Sequence, residues 1–201
     1  MKKLLILSLV ALVAILGLSF YAMKVMGDFH RRDLELREAF DAAAKKLLAT
    51  DERFPYVARP DLDPARFPVW LEIRKNVATA FAARAGERAR NAFHARETRM
   101  EMLGLLEADL LERKMGLSEY RATAARWRAL VALPAFADLQ RAWRARTATP
   151  RQAEGLPLPP PADDATEKEL EIVRRYARLL EESMDADLLD PTLDGIGTPG
   201  P

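Results

Sequence analysis

Three residues with metal-binding chemistry share one predicted helical face. His94, Glu97 and Glu101 stand at i, i+3 and i+7, within about a quarter of a helix circumference, and offer the imidazole and carboxylate donors that a transition metal takes. The set has no partner helix bearing further ligands, and Asn91 stands where the Glu of a Glu-x-x-His pair would be. The three also border the apolar Phe93/Met100 stripe, where charged side chains ordinarily rim a core. They are therefore read as a structural rim, and no metal is expected.

Nucleophilic chemistry is equally thin. Of four serines, Ser8 and Ser19 lie in an apolar run, Ser118 is placed to cap a helix and Ser183 ends one; the two histidines are His30 and His94. No Ser/His pair follows from this inventory. Neither GxGxxG nor GxxxxGK[ST] occurs, so neither nucleotide-binding loop is present. The absence of cysteine excludes disulfides, thiol catalysis and thiolate metal sites together. The expectation is a protein that is not an enzyme and carries no cofactor.

The sharper feature is charge. The overall balance is +1, but Ser118 to Gln152 holds seven arginines (Arg121, Arg126, Arg128, Arg141, Arg144, Arg146 and Arg151) against Glu119 and Asp138, a net of +5. From Ala162 onward eleven acidic residues face Lys168, Arg174, Arg175 and Arg178, a net of −7. Trp127 and Trp143 fall on apolar helix faces and belong to the core, which leaves the arginines as a candidate anion-binding surface for lipid headgroups or nucleic acid. The acidic segment after Ala162 is expected to dock on that surface and screen it.

The elements that must position these residues read as helices, since Ala, Leu, Arg and Glu dominate. Leu4 to Met23 is apolar and follows Lys2 and Lys3. About 20 such residues suffice to cross a bilayer. The run is read as a single-pass signal-anchor (residues 1–26) in contact with the lipid bilayer, with the rest of the chain extracytoplasmic, at a bacterial-type inner membrane. A cleavable signal peptide, cut after Gly17-Leu18-Ser19, is the competing reading.

A membrane-proximal helix over 27–50 follows, with Leu36, Phe40, Ala43 and Leu47 on one face. Two heptads fall short of a coiled-coil assignment. Pro55, Pro60, Pro64 and Pro68 make a connector that wraps the bundle, with Asp63 capping a turn at Pro64. From Val69 to Met115 the apolar stripe predicts one long helix, bent or briefly interrupted at Gly86. Gly116 closes it, Ser118 caps the next helix, and Pro134 divides that helix from a further short one. Residues 51–146 thus form the bundle domain.

A Pro-rich linker (147–165) reads as a semi-rigid spacer. Thr166 and Glu169 form a capping box for a C-terminal helix, residues 166–184, and an acidic tail, residues 185–201, is expected to be disordered. The sequence predicts an all-α fold: a transmembrane helix, then a small bundle with one long helix, a linker and a C-terminal helix. The role this implies is a membrane-anchored, non-catalytic interaction or scaffold module of the envelope, with another envelope protein as partner. The alternative is a cytoplasm-facing domain whose arginine surface binds anionic lipid or nucleic acid; nucleic acid is the less expected partner.

Overall fold

The computed structural model describes the backbone of residues 2–59, 61–84, 92–148, 156–189, 192–193 and 196, with side chains from residue 18 onward and, after the second helix, from residue 94. The fold is all-helical, with no strand among the described residues. Helix α1 spans Lys2–Arg53, α2 Phe67–Ala83, α3 Ala92–Glu112, α4 Leu117–Val131, α5 Ala137–Thr147 and α6 Glu167–Glu182. Short 3-10 turns occupy Pro134–Phe136 and Met184–Leu189. The chain divides into two compact units, Met1–Asp41 and Ala42–Pro201.

In the first unit, Leu18, Phe20, Tyr21, Met23, Met26 and Phe29 are exposed, and the charged residues beyond them form local pairs such as Arg37–Asp33 at 2.9 Å. Among the described residues, no helix is long and apolar enough to cross a membrane. This overturns the transmembrane, signal-anchor and single-pass reading and the inner-membrane, extracytoplasmic placement. Beyond the apolar run, Lys24, Asp28, Arg31, Arg32 and Asp33 follow within three turns of the same helix. The side chains of residues 4–17 of the apolar run lie outside the described residues.

The second unit is built on aromatic packing. Phe67, Trp70, Tyr120, Trp127 and Trp143 are all within 1% of complete burial. Their rings form a chain: Phe67 to Trp70 at 5.2 Å, Trp70 to Trp127 at 6.1 Å, and Trp127 to Trp143 edge-on at 5.6 Å. Such tilted contacts set the positive edge of one ring toward the face of the next. Trp127 and Trp143 belong to the core, as their apolar-face positions predict. Trp70 Nε1 donates to the Tyr120 carbonyl at 3.1 Å and Trp143 Nε1 to the Leu156 carbonyl at 2.6 Å.

The expected helix over 69–115, bent or briefly interrupted, is described as two helices, one ending at Ala83 and one beginning at Ala92. Asn76 on α2 donates to Asp109 on α3 at 3.2 and 3.3 Å, Glu72 pairs with Arg113, and Arg84 pairs with Glu101 at 3.2 Å. As the α2 number rises the α3 number falls by the same amount, which is the signature of an antiparallel pair. Folding the stripe on itself buries both halves, whereas a helix of about 70 Å would leave one exposed. Gly86, the predicted break, lies outside the described residues.

Helix ends also differ from expectation. Helix α3 is closed by Lys114, which adopts φ 53°, with Met115 N–H donating to the Leu110 carbonyl at 2.9 Å and Lys114 N–H to that of Leu111 at 3.4 Å. This is the Schellman pattern, with lysine where glycine is usual. Gly116 serves another purpose: a Cβ there would lie 2.6 Å from both Asp51 Oδ1 and the Phe54 carbonyl oxygen. The missing side chain lets the end of α1 seat on the start of α4. Asp51 accepts from Ser118 N–H at 2.7 Å and from the Ser118 hydroxyl at 2.8 Å, while Thr50 Oγ1 accepts from Leu117 N–H at 3.0 Å. Residues of α1 thus cap α4, a task the sequence assigns to Ser118 itself.

From Leu156 to Ala162 the described chain beyond α5 is packed rather than spaced out. Thr147 Oγ1 accepts from Leu156 N–H at 2.8 Å, and Ala162 N–H donates to the Ala129 carbonyl at 3.0 Å. The expected disordered tail is ordered in part: Ala186, Asp187, Leu189, Leu193 and Ile196 are buried. Apolar residues interleaved with the acids give this segment a face to bury, which its average composition conceals. The 166–169 capping box forms as predicted.

Candidate functional site

The arginine region and the acidic segment meet at Arg126. This residue projects from α4 and its side chain is 16% exposed. Its Nε and Nη2 donate to the two oxygens of Glu169 at 2.8 Å each, and its Nη1 to Asp164 Oδ1 at 2.6 Å. A planar guanidinium forked onto a carboxylate is the strongest common ionic geometry. Glu169 is the N3 residue of α6, and its oxygens also accept from Thr166 N–H at 3.1 Å and Leu62 N–H at 3.0 Å. One buried carboxylate thereby joins the 54–66 connector, α4 and α6.

The electrostatics follow from that geometry. Burial pushes the Glu169 carboxyl up, but the Arg126 fork and the Thr166 and Leu62 amides outweigh it and hold the group at about 2. Arg126 is raised above its usual range by the bond to Glu169, against burial and with help from Asp164. Asp164 is lowered by its bond to the same guanidinium. Arg66 is raised by a fork onto Glu119, with contacts of 2.6 and 2.9 Å. Between the connector and α4 lies a cleft of about 280 Å³, lined by Tyr56, Leu62, Phe67 and Thr123 together with Arg66, Glu119 and Arg126.

The six described arginines of the predicted seven do not assemble into one uncompensated surface. Arg126 is clasped as described. Arg121 Nη2 donates to the Ile196 carbonyl at 3.0 Å, Arg128 Nε to the Ala124 carbonyl of its own helix at 3.0 Å, and Arg146 lies 3.7 Å from Asp185. Arg141 pairs with Asp138 in the open, and Arg144 is exposed. Arg151 lies outside the described residues. The segment after Ala162 does lie against the arginine-bearing helices, through Asp164, Glu169, Asp185 and Ile196. Glu101, one of the His94, Glu97 and Glu101 set read as a structural rim, pairs with Arg84, and no group of His, Asp or Glu placed to hold a metal occurs among the described residues.

A second ionic centre escapes the sequence. Arg74 of α2 and Asp187 of the terminal 3-10 turn both have side chains 0% exposed. Arg74 Nη1 donates to Asp187 Oδ1 at 2.6 Å, its Nη2 to Asp187 Oδ2 and, at 3.3 Å, to the Ser183 carbonyl. The guanidinium carbon lies 4.7 Å from the Trp70 ring centroid and 5.1 Å from that of Trp127, a cation–π setting strengthened by exclusion of water. The available signal was Trp70 one turn before Arg74, with Asp187 between Met184 and Leu189. Comparison with protein-family models, curated proteins and solved structures gives no match.

Proposed function

We propose that this protein is a non-catalytic helical interaction module that contacts a protein partner through the apolar stretch of α1. The observation that carries this reading is the exposure of Phe20, Tyr21, Met23 and Met26, each between 65% and 71%. Large apolar side chains gathered on one short stretch mark contact surfaces. The charged groups of the second unit add support, because the strongest of them, Arg126 with Glu169 and Arg74 with Asp187, are bound to one another inside the fold and act as clasps.

Photo-crosslinking in cells tests it. A benzophenone side chain at Tyr21 or Met26 of the full-length chain is expected to give a discrete protein adduct, and one at exposed Glu171 or Arg174 on α6 none. No adduct from the α1 positions, or equal adducts from both sets, overturns the proposal.

A further inference from the structure

Sulfur is unevenly placed in this chain. There is no cysteine, so the seven methionines carry all of it. Met102 is 4% exposed and Met115 and Met184 are fully buried, whereas Met23 and Met26 on α1 are 65% and 71% exposed. Met100 is half-buried, and the side chain of Met1 lies outside the described residues. Met23 and Met26 stand three residues apart and so share a helix face. Phe20 precedes Met23 by the same interval and Phe29 follows Met26 by it, and both rings are exposed. The two open thioethers therefore occupy the middle of the apolar contact stretch.

A thioether has no proton to lose, so access rather than pKa decides which methionine an oxidant reaches. With a hydroperoxide the sulfur attacks one peroxide oxygen; the S–O bond forms as the O–O bond breaks, and the other oxygen leaves as water. Sulfur is oxidised by two electrons and the peroxide is reduced by two. With cysteine absent, no thiolate in the chain competes for the oxidant. The sulfoxide is polar and chiral where the thioether was apolar and adaptable, and methionine sulfoxide reductases reverse the change.

We infer that Met23 and Met26 are a paired site of reversible oxidation by hydroperoxides, and that their sulfoxides withdraw the contact surface of α1. A bound partner covers these sulfurs, so the oxidant acts on the free chain and keeps the contact from forming. This rests on the reading of α1 as the contact stretch and adds its regulation.

Two measurements on the full-length chain need no partner, so this inference and that reading can fail separately. After hydrogen peroxide, with the added oxygen located by peptide mass spectrometry, Met23 and Met26 are expected to oxidise at least about tenfold faster than Met102, Met115 and Met184. One common rate overturns the site. Retention on an apolar matrix is expected to fall on oxidation and return with a sulfoxide reductase, and to stay constant in Met23→Leu with Met26→Leu, which keeps size and apolarity. Retention that ignores oxidation, or falls equally in the leucine variant, overturns the loss of surface. In cells, peroxide is expected to weaken the adduct from a benzophenone at Tyr21 at least about fivefold, with the leucine variant protected. An adduct that persists once both methionines are sulfoxides overturns the regulation.

Discussion

Lys114 and Gly116 show how two adjacent backbone demands are met by residues of opposite kind. Lys114 carries the left-handed conformation that closes α3, at a cost that glycine would not incur. Lys114→Gly is expected to stabilise the protein by about 0.5–1 kcal/mol, seen as a higher urea midpoint at unchanged slope. Gly116 has an ordinary φ of −79° but no room for a methyl group. Gly116→Ala must push the Phe54 carbonyl and the Asp51 carboxylate aside, and a loss of about 1–3 kcal/mol is expected. If the two substitutions shift the midpoint in the same direction, the division of labour between these positions is wrong. From sequence Gly116 is the natural helix stop, since a glycine after a periodic run ordinarily supplies the left-handed residue. The close approach that reserves it comes from Asp51 and Phe54, far away in the chain and invisible to local reasoning.

At the scale of elements, α4 begins on donors that its own sequence does not satisfy. Asp51 and Thr50 supply the acceptors from another helix, so a helix cap doubles as a tertiary joint. Asp51→Ala is expected to cost about 1–2 kcal/mol, the upper part of the range for a lost cap, while Asp51→Asn, which retains an acceptor, costs less. Equal losses in calorimetric melting would show that charge rather than capping matters. What was legible at this scale was local. The α6 capping box, the break at Pro134 and the apolar faces bearing Trp127 and Trp143 all follow from residues a turn or two apart. The α2/α3 hairpin was not legible, because a continuous apolar stripe is equally good as one exposed rod or as two halves packed on each other. The membrane reading is not met among the described residues, where no helix is long and apolar enough to cross a membrane.

Over the second unit as a whole, the sequence's charge segregation becomes internal pairing. The net +5 and −7 stretches meet in the Arg126–Glu169–Asp164 cluster and at Arg146–Asp185, rather than facing solvent as separate patches. The candidate anion surface was legible as a list of arginines, but not as the clasp that several of them form, because pairing depends on where the acidic segment returns. This arrangement sets the acid response of the protein. Glu169 is held at about 2, well below an unfolded glutamate near 4.3. Its contribution is therefore complete above about pH 4.5 and declines as pH falls toward 2, because the unfolded chain binds the proton first. A depression of this size corresponds to roughly 2–3 kcal/mol. Glu169→Gln is expected to remove about that much at pH 7, and the gap between variant and wild type in urea titrations is expected to narrow progressively from pH 5 to pH 3. A gap that stays constant across that range would mean that Glu169 is not the titrating clasp. It would then leave Asp164, the other carboxylate bonded to Arg126, as the group whose protonation opens the junction.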